Sequence, residues 1–278
     1  IITVVGQGYV GIPISIAIAN SKNKKFKVIG IEKKNRQGQL IANKINKGLL
    51  PIKCEDKEIY EKFKNTKIKR NYTVTTNIDN VKDSKIVLIS INFDFNEKNI
   101  NPFKELKLFF KKLGSLIKKN TLIIIETTLP PGATDKVIYP ILLNEAHKRG
   151  FKKEEILLSF SYERVMPGEA YYNSVVNNFR AFSGVNKKSK LKCKNFLKNV
   201  INTKKYPLTE LNSNTECELS KILENSYRAT NIAFIDEWTK FSQIANVDLY
   251  NILNAIKKRD THKNIMSPGL GVGGYCLT

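Results

Sequence analysis

An apolar run, Ile1-Ile2-Thr3-Val4-Val5, leads directly into the turn Gly6-Gln7-Gly8-Tyr9-Val10-Gly11. An apolar helical segment and a second apolar run, residues 26–31, follow before Glu32. Strand, glycine turn, helix, strand and acid, in this order, form the dinucleotide-binding fingerprint in its full context. The first glycine makes the turn, the second lets a pyrophosphate reach the start of the helix, and the third lets helix and strand pack. This stretch therefore predicts a Rossmann-like fold that binds NAD.

The acid at the end of the second run decides which dinucleotide is favoured. Glu32 is placed to accept hydrogen bonds from a ribose diol, which argues against a cofactor that carries a 2′-phosphate. Three cations that could instead receive such a phosphate stand beside it: Lys33, Lys34 and Arg36. The residues of this stretch that we expect to contact NAD are Gly6, Gly8, Tyr9, Val10, Gly11 and Glu32.

Strand and helix patterns alternate through the next part of the chain. Further apolar runs predict strands at 72–76, 85–91, 121–125, 156–160 and 179–182. Helical patterns cover residues 37–64 (with a break near 48–51), 102–118, 133–149 and 187–200. Such alternation is typical of an α/β fold with a doubly wound parallel sheet. We assign this NAD-binding domain to residues 1–210.

The pattern changes after residue 210. Ser213-Asn214-Thr215-Glu216 is a capping box, and no glycine or proline follows until Pro268. We predict one helix from residue 214 to about residue 244, about 45 Å long at about 1.5 Å per residue. So long a helix suggests a spine between domains or subunits. A further helix is predicted over 247–258, and residues 211–278 are assigned to the start of an all-α dimerisation domain. We expect a homodimer through the long helix.

Composition excludes several classes of partner. The 278-residue chain carries a formal net charge of +22. Its lysines are spread over nearly every predicted helix and turn, without the interleaved aromatic residues of a nucleic-acid groove, so we expect no nucleic-acid partner. The chain has neither a charged-then-apolar leader nor an apolar run of about 18 residues, and we expect no membrane association.

Cysteine usage indicates a reducing compartment. The four cysteines, Cys54, Cys193, Cys217 and Cys276, are scattered and make neither a metal-ligand spacing nor a disulfide framework. We therefore predict a cytoplasmic protein without a metal site. Both ends of the sequence look cut, and we expect a fragment.

A glycine-rich stretch near the end of the sequence, SPGLGVGGYCLT (residues 267–278), has four glycines within six positions and runs into Cys276. Such a loop lets backbone approach a ligand closely, and a thiol after it would face the ligand as a nucleophile. A plain glycine-rich turn beside a small buried cysteine is the alternative that these residues alone leave open.

Polar residues also follow two predicted strands at the edge where α/β sheets bind ligands. Thr127 and Thr128 follow one strand, with helix capping as the alternative. Glu163 follows the next, with a surface ion pair to Arg164 or a lysine as the alternative. On the long helix, three polar residues share one stripe at spacings of four and seven positions, and an ordinary solvated face is the alternative. They are Lys221, Asn225 and Arg228.

Taken together, these segments resemble the UDP-glucose/GDP-mannose dehydrogenase family. The resemblance covers nearly the whole chain and rests on five ordered motifs. They are GQGYVG with Glu32, TTLPPGAT (127–134), SYERVMPGEA (161–170), ELSKILENSYRATNIAF (218–234) and PGLGVGGYC (268–276). The resemblance implies a four-electron oxidation of a sugar C6 alcohol to a carboxylate by two NAD⁺, through a cysteine thiohemiacetal and thioester. It also implies that the UDP-binding C-terminal domain is absent from this sequence.

The resemblance further implies site residues. Cys276 would be the nucleophile. Lys221 and Asn225 would donate hydrogen bonds to the alkoxide and the tetrahedral oxyanions. Glu163 would be the general base of thioester hydrolysis, and Thr128 would lie near the nicotinamide and help to hold an active-site water. The residues expected to contact substrate are Glu163, Arg164, Lys221, Asn225, Arg228 and Gly273.

This chain departs from the family pattern at three places. Some relatives carry a second acid four residues beyond the one that matches Glu163, where this chain has Pro167. An arginine that holds substrate in many relatives has no assigned counterpart among residues 259–263. The aspartate that follows the cysteine in the family would lie beyond Thr278.

Several functions remain open at this point. The segments NSYRATNIAF and GVGGYC look closer to the branch that oxidises UDP-N-acetylhexosamines than to the UDP-glucose branch, and GDP-mannose is a further alternative. A two-electron dehydrogenase related to hydroxyacid reductases would have a lysine and an asparagine on a comparable helix but would need no cysteine. A catalytically silent NAD-binding subunit is the non-enzymatic alternative.

Overall fold

One sheet with helices on both faces sets the architecture. A computed structural model of the chain describes residues 1–93 and 103–273. Within them the strands are β1 (Ile2–Val5), β2 (Val28–Ile31), β3 (Tyr72–Thr75), β4 (Ile86–Ile89), β5 (Leu122–Ile125), β6 (Leu157–Phe160), β7 (Ala181–Gly184) and β8 (Thr209–Glu210). Their order is β3-β2-β1-β4-β5-β6-β7-β8, and each neighbouring pair is parallel except β6 and β7. This order confirms the predicted doubly wound α/β fold.

The helices largely follow the predicted segments. They are α1 (Gly11–Ala19), α2 (Arg36–Asn46), α3 (Lys57–Ile68), α4 (Lys104–Leu116), α5 (Tyr139–His147), α6 (Tyr171–Val176), α7 (Lys187–Val200), α8 (Asn214–Ile244) and α9 (Leu249–Ile256). Shorter helical turns lie at Ile78–Asp83, Thr134–Ile138, Lys153–Glu155 and Asp260–His262. The sequence did not predict α6 or β8, and it placed the start of β7 two residues too early.

A glycine separates α2 from α3, as predicted. Gly48 has a φ of +84°, a conformation that glycine adopts without strain. The amide of Leu49 donates to the carbonyl of Lys44 at 2.9 Å, which closes the last turn of α2. Asp56 then caps α3 by accepting from the amide of Glu58 at 2.7 Å.

Successive strand side chains enter two different cores. Val4 and Ile124 belong to the core on one face of the sheet, whereas Val5 and Ile125 belong to the core on the other face. Burial on both faces explains why these strands read as continuous apolar runs rather than as alternating ones.

The register aligns the carboxyl ends of the central strands. Val5 pairs with Ile31 on one side and with Ile89 on the other, and Ile125 pairs with Ile89 and with Phe160. The residues that follow these strands therefore lie along one edge of the sheet. They are Gly6, Glu32, Ser90, Glu126 and Ser161.

The chain divides into two compact units, Ile1–Glu218 and Leu219–Thr278. α8 begins in the first unit, where the Ser213 hydroxyl accepts from the amide of Glu216 at 3.1 Å. The Glu216 carboxylate accepts from the amide of Asn212 at 2.9 Å, one residue earlier than in a standard capping box. The helix continues for 31 residues, which confirms the predicted long helix.

The second unit has a small core of its own. Ile235 on α8 packs with Leu249 and Leu253 on α9, and Ile265 and Met266 pack against them.

Candidate active site

The first and third glycines of the turn are fixed by close contacts, and the second faces open space. A Cβ atom on Gly6 would lie 2.4 Å from the Ser90 carbonyl oxygen, and Gly6 has a φ of +88°. A Cβ atom on Gly11 would lie 1.7 Å from the Gly6 carbonyl oxygen. At Gly8 no described atom lies within 4 Å of that position. The turn therefore leaves room for a ligand at Gly8, as the fingerprint requires.

The start of α1, which Val10 precedes, has no side-chain cap among the described residues. Helix amides that lack a partner attract phosphate groups at this position. Tyr9 is 46% exposed. Its carbonyl oxygen accepts a hydrogen bond from the hydroxyl of the buried Tyr171, and this bond holds the turn in place.

Glu32 lies against the same turn. Its Oε1 accepts from the amide of Gln7 at 2.5 Å, and its Oε2 accepts from the amide of Lys33 at 3.0 Å. The carboxylate thus stands at the end of β2, beside the glycine turn, where the ribose diol of a dinucleotide would reach it. The neighbouring cations Lys33, Lys34 and Arg36 are exposed.

Gln7 supports the turn, a role that the sequence did not predict. The Gln7 side-chain Nε2 donates to the Val4 carbonyl at 2.9 Å, and the side-chain Oε1 accepts from the Tyr72 hydroxyl at 2.5 Å. The side chain fits only because β2 has Gly30 there, where a Cβ atom would lie 2.6 Å from the Gln7 Cδ. Open space at Gly8, an uncapped helix start and a carboxylate at the end of β2 together fit a dinucleotide.

The two threonines after β5 differ in exposure. Thr127 is buried, and its hydroxyl donates to the Ile91 carbonyl at 2.8 Å, so it does not cap a helix. Thr128 is exposed at the carboxyl edge, where a ligand could reach it.

The helix that follows these threonines is capped from a distance. The Glu218 carboxylate on α8 accepts from the amides of Gly132 and Thr134 at 2.5 and 2.7 Å. Burial raises the pKa of Glu218, while the hydrogen bonds from Thr134 and Gly132 lower it. Asn214 holds the same region together, because it donates to Asp135 at 2.8 Å and accepts from the amide of Phe160 at 3.2 Å.

Glu163 is a buried carboxylate rather than a surface one. It is 8% exposed, and it accepts a hydrogen bond from the amide of Val165. Arg164 directs its guanidinium to the Phe179 carbonyl at 2.6 Å and to the Tyr162 hydroxyl at 2.9 Å. Glu163 is thus buried, and it lies after β6 at the same edge as the glycine turn.

A buried ion pair lies next to this segment, and the sequence assigned it no role. Arg180 Nη1 donates to Glu126 Oε1 at 3.0 Å, and the two side chains are 2% and 1% exposed. Ser90 also donates to Glu126, at 2.8 Å. Burial raises the pKa of Glu126, Arg180 and Ser90 lower it, and the nearby charge of Glu163 raises it.

On α8 the predicted polar stripe is buried at one end only. Lys221 is 6% exposed, Asn225 one turn later is half-buried, and Arg228 is exposed. An ordinary solvated face does not describe Lys221. Gly273 is exposed, and Cys276, the predicted nucleophile, lies outside the described residues.

Two of the three described thiols are kept protonated by burial. Cys54 is half-buried, whereas Cys193 and Cys217 are buried, and burial raises the pKa of each of these two to about 12. Within residues 1–93 and 103–273, no three side chains of His, Cys, Asp or Glu are grouped as metal ligands. In the same ranges we find no helix with the length and apolarity that a membrane span needs.

Comparisons with known proteins agree with the fold and with an NAD-binding domain. The family model "UDP-glucose/GDP-mannose dehydrogenase family, NAD binding domain" matches residues 1–203, and the model of the same family's central domain matches residues 215–278. A UDP-N-acetyl-D-mannosamine dehydrogenase of Methanococcus aeolicus is 30% identical over 295 residues, which cover 100% of this chain and 58% of that protein.

Solved structures give the same picture. The UDP-D-ManNAc dehydrogenase of Pyrococcus horikoshii matches with a TM-score of 0.83 and 28% identity over 99% of this chain and 62% of that one. The UDP-N-acetyl-mannosamine dehydrogenase of Staphylococcus aureus matches with a TM-score of 0.80 and 28% identity, with the same coverage. The chain thus spans 58% to 62% of the length of these relatives.

Proposed function

The chain belongs to the UDP-glucose/GDP-mannose dehydrogenase family and carries its NAD-binding domain, and from this we propose that the whole protein oxidises the C6 alcohol of a UDP-sugar to the carboxylate. The observation that carries the proposal is the placement of a dinucleotide cradle and a buried carboxylate, Glu163, at one edge of the same sheet. A simple NAD-binding subunit would not need the second feature.

The chain's own residues divide the work as follows. The turn at Gly8 and the start of α1 hold the pyrophosphate, and Glu32 holds the adenosine ribose. Two NAD⁺ molecules, bound one after the other, would accept the two hydrides. The exposed Thr128 hydroxyl at the end of β5 is available to hold a water or the substrate at this edge.

Covalent chemistry is assigned to Cys276. The sugar C6 alcohol first loses a hydride and a proton to become an aldehyde. The Cys276 thiolate adds to that aldehyde, loss of a second hydride leaves a thioester, and water cleaves the thioester to release the carboxylate and the thiol. Glu163 takes the proton from the attacking water. Lys221 and Asn225 donate hydrogen bonds to the oxygen that carries negative charge in each tetrahedral species.

For the sugar, we propose a UDP-N-acetylhexosamine. The relatives quoted above are named UDP-N-acetyl-D-mannosamine dehydrogenases, which makes UDP-N-acetylmannosamine the first substrate to test. Free thiols at Cys54, Cys193 and Cys217 are consistent with a cytoplasmic reaction.

We also propose a homodimer that covers part of α8. Large exposed side chains recur on this helix at spacings of three, four and seven residues and form one surface, here called the α8 stripe. Its members are Leu223, Tyr227, Phe234, Trp238 and Phe241, which are 46% to 68% exposed. A contiguous exposed apolar surface of this kind is typical of an interaction site.

The function is tested by counting NADH per sugar with the full-length gene product. The substrates are UDP-glucose, UDP-GlcNAc, UDP-GalNAc, UDP-ManNAc and GDP-mannose. Two NADH per molecule of one UDP-N-acetylhexosamine are expected, because the oxidation removes four electrons. One NADH per sugar would favour the two-electron alternative, and no NADH with any sugar would favour a silent subunit.

A further inference from the structure

The buried ion pair between Glu126 and Arg180 stands beside the candidate catalytic groups but has no role in the proposed chemistry. Glu126 follows β5, Arg180 immediately precedes β7, and their side chains meet at 3.0 Å. A buried ion pair adds little net stability over an apolar pair of similar size, because the loss of hydration offsets the attraction. The parts of the chain that the pair holds in place are therefore the better guide to its role.

On one side, the pair holds the segment that carries Glu163. Arg180 Nη1 also donates to the Ser161 carbonyl at 3.1 Å, and the Ser161 hydroxyl donates to the Ala181 carbonyl at 3.0 Å. Ser161 is the first residue after β6, and Glu163 follows two positions later. The guanidinium thus fixes the point at which this segment leaves the sheet.

On the other side, the pair reaches the cofactor turn. Ser90 donates to Glu126 Oε2 at 2.8 Å. The carbonyl oxygen of the same Ser90 lies where a side chain on Gly6 would be. One series of contacts therefore runs across the ends of β4, β5 and β6, from the glycine turn to the Glu163 segment.

One nitrogen of the Arg180 guanidinium has no hydrogen-bond partner among the described residues. This nitrogen, Nη2, is buried. A buried donor without an acceptor is destabilising, so a pair that served stability alone would be poorly built.

We propose that Arg180 and Glu126 are positioning residues that hold the segment 161–165 so that Glu163 is presented to its substrate. The inference rests on the proposed role of Glu163. It assigns to the pair no contact with the reacting atoms. Its consequence is that a folded variant without the pair loses order in this segment.

The decisive variant is Glu126→Leu/Arg180→Met, which exchanges the pair for apolar side chains of similar size. Arg180→Lys is the conservative variant, because it keeps a charge beside Glu126 but loses the planar guanidinium, whose Nη1 bonds to both Glu126 and Ser161. Lys188→Met, on the exposed surface of α7, is the matched control for loss of a cation.

The first readout does not depend on the reaction. Amide hydrogen exchange is compared in the 278-residue chain, and protection within 161–165 is expected to fall by about tenfold in the double variant, with Arg180→Lys intermediate and Lys188→Met unchanged. Protection equal to that of the wild type in a folded double variant would overturn the proposal. If the double variant does not fold, the same comparison is made with Arg180→Lys, and wild-type protection of residues 161–165 in that variant would overturn the proposal.

The second readout uses the full-length gene product. The double variant is expected to lose about 10- to 100-fold in kcat, with an unchanged KM for NAD⁺ and a build-up of the covalent sugar adduct. Wild-type turnover in the double variant would overturn the proposal, provided that the wild type releases two NADH per sugar. Inactivity of the wild type with every sugar would instead contradict the proposed function, and the exchange measurement would then decide the role of the pair.

Discussion

The carbonyl oxygen of Ser90 lies 2.4 Å from the position that a Cβ atom would take on Gly6. The contact joins the end of β4 to the cofactor turn, at a residue whose φ is +88°. Both features exclude a side chain, because this backbone conformation is strained for any other residue and the obstructing atom belongs to the backbone.

Gly6→Ala should therefore destabilise the first unit, by about 1–3 kcal/mol of unfolding free energy. Gly8→Ala is the matched control, because a Cβ atom there meets no described atom within 4 Å. It should leave stability unchanged and weaken NAD binding, since its methyl group occupies the space meant for the pyrophosphate. Urea unfolding and NAD titration of the 278-residue chain measure the two effects. Equal stability of the two variants would contradict the close approach of the Ser90 carbonyl oxygen to Gly6.

Glu32→Ala should weaken NAD binding by about 1–3 kcal/mol, because two ribose hydroxyl bonds lose their acceptor. Calorimetric titration measures the change. Lys33→Ala is the control, since Lys33 is exposed and adjacent. Glu32→Gln separates the ribose contact from the support that the carboxylate gives to the Gln7 amide, because the glutamine oxygen can still accept that bond. An unchanged affinity in Glu32→Ala would mean that the fingerprint does not bind the ribose here.

Cys276→Ala in the full-length gene product should abolish formation of the carboxylate and leave the affinity for NAD unchanged. Without a thiol the aldehyde has no covalent route to the second oxidation level. The products are separated by mass spectrometry, and Cys54→Ala serves as the control for loss of an unrelated thiol. Carboxylate formed at the wild-type rate would exclude the thioester mechanism.

Glu163→Gln should slow thioester hydrolysis by about 100- to 10,000-fold, the usual contribution of a general base. The covalent adduct should then accumulate and be visible as an increase in protein mass. Because glutamine is close to glutamate in size and can still accept the bond from the Val165 amide, the local structure should persist. Normal turnover without an adduct would remove Glu163 from the chemistry.

Thiol labelling at pH 8 should distinguish the buried cysteines, whose thiol pKa is raised, from a reactive cysteine. A thiol whose pKa is about 12, as for Cys193 and Cys217, stays protonated below that pH, so its thiolate fraction at pH 8 is about one in ten thousand. Iodoacetamide at pH 8 should leave both unlabelled in the native protein and label both in denaturant. If Cys276 is the nucleophile, it should react first. Rapid native labelling of Cys193 would contradict its burial.

Elements with a local cause were predictable from the sequence. Continuous apolar runs revealed the strands because both faces of the sheet are buried, and the Ser213 cap revealed the start of α8. α6 was missed because it has six residues and is fixed by distant partners. The amide of its Tyr172 donates to the Asp56 carboxylate at 2.6 Å, across 116 positions of sequence.

In the candidate site, too, residues with a local sequence signal were predicted and residues fixed by distant partners were missed. Glu32 and Glu163 were found because each stands directly after a strand. Glu218 was missed because an acid on a helix reads as a solvent-facing residue, although its carboxylate is buried against amides more than 80 positions away. Arg180 was missed for a similar reason, since nothing in the local pattern pairs it with Glu126.

The α8 stripe gives the protein an optical reporter. Trp238 is the single tryptophan of the chain, it is 46% exposed, and its ring lies edge-on to Phe234 and Phe241 with centroids 6.2 and 5.5 Å away. The indole emission of the chain therefore arises from one surface alone. When that surface is covered, the emission should move to shorter wavelength, so a dilution series read by fluorescence would follow assembly without any added dye.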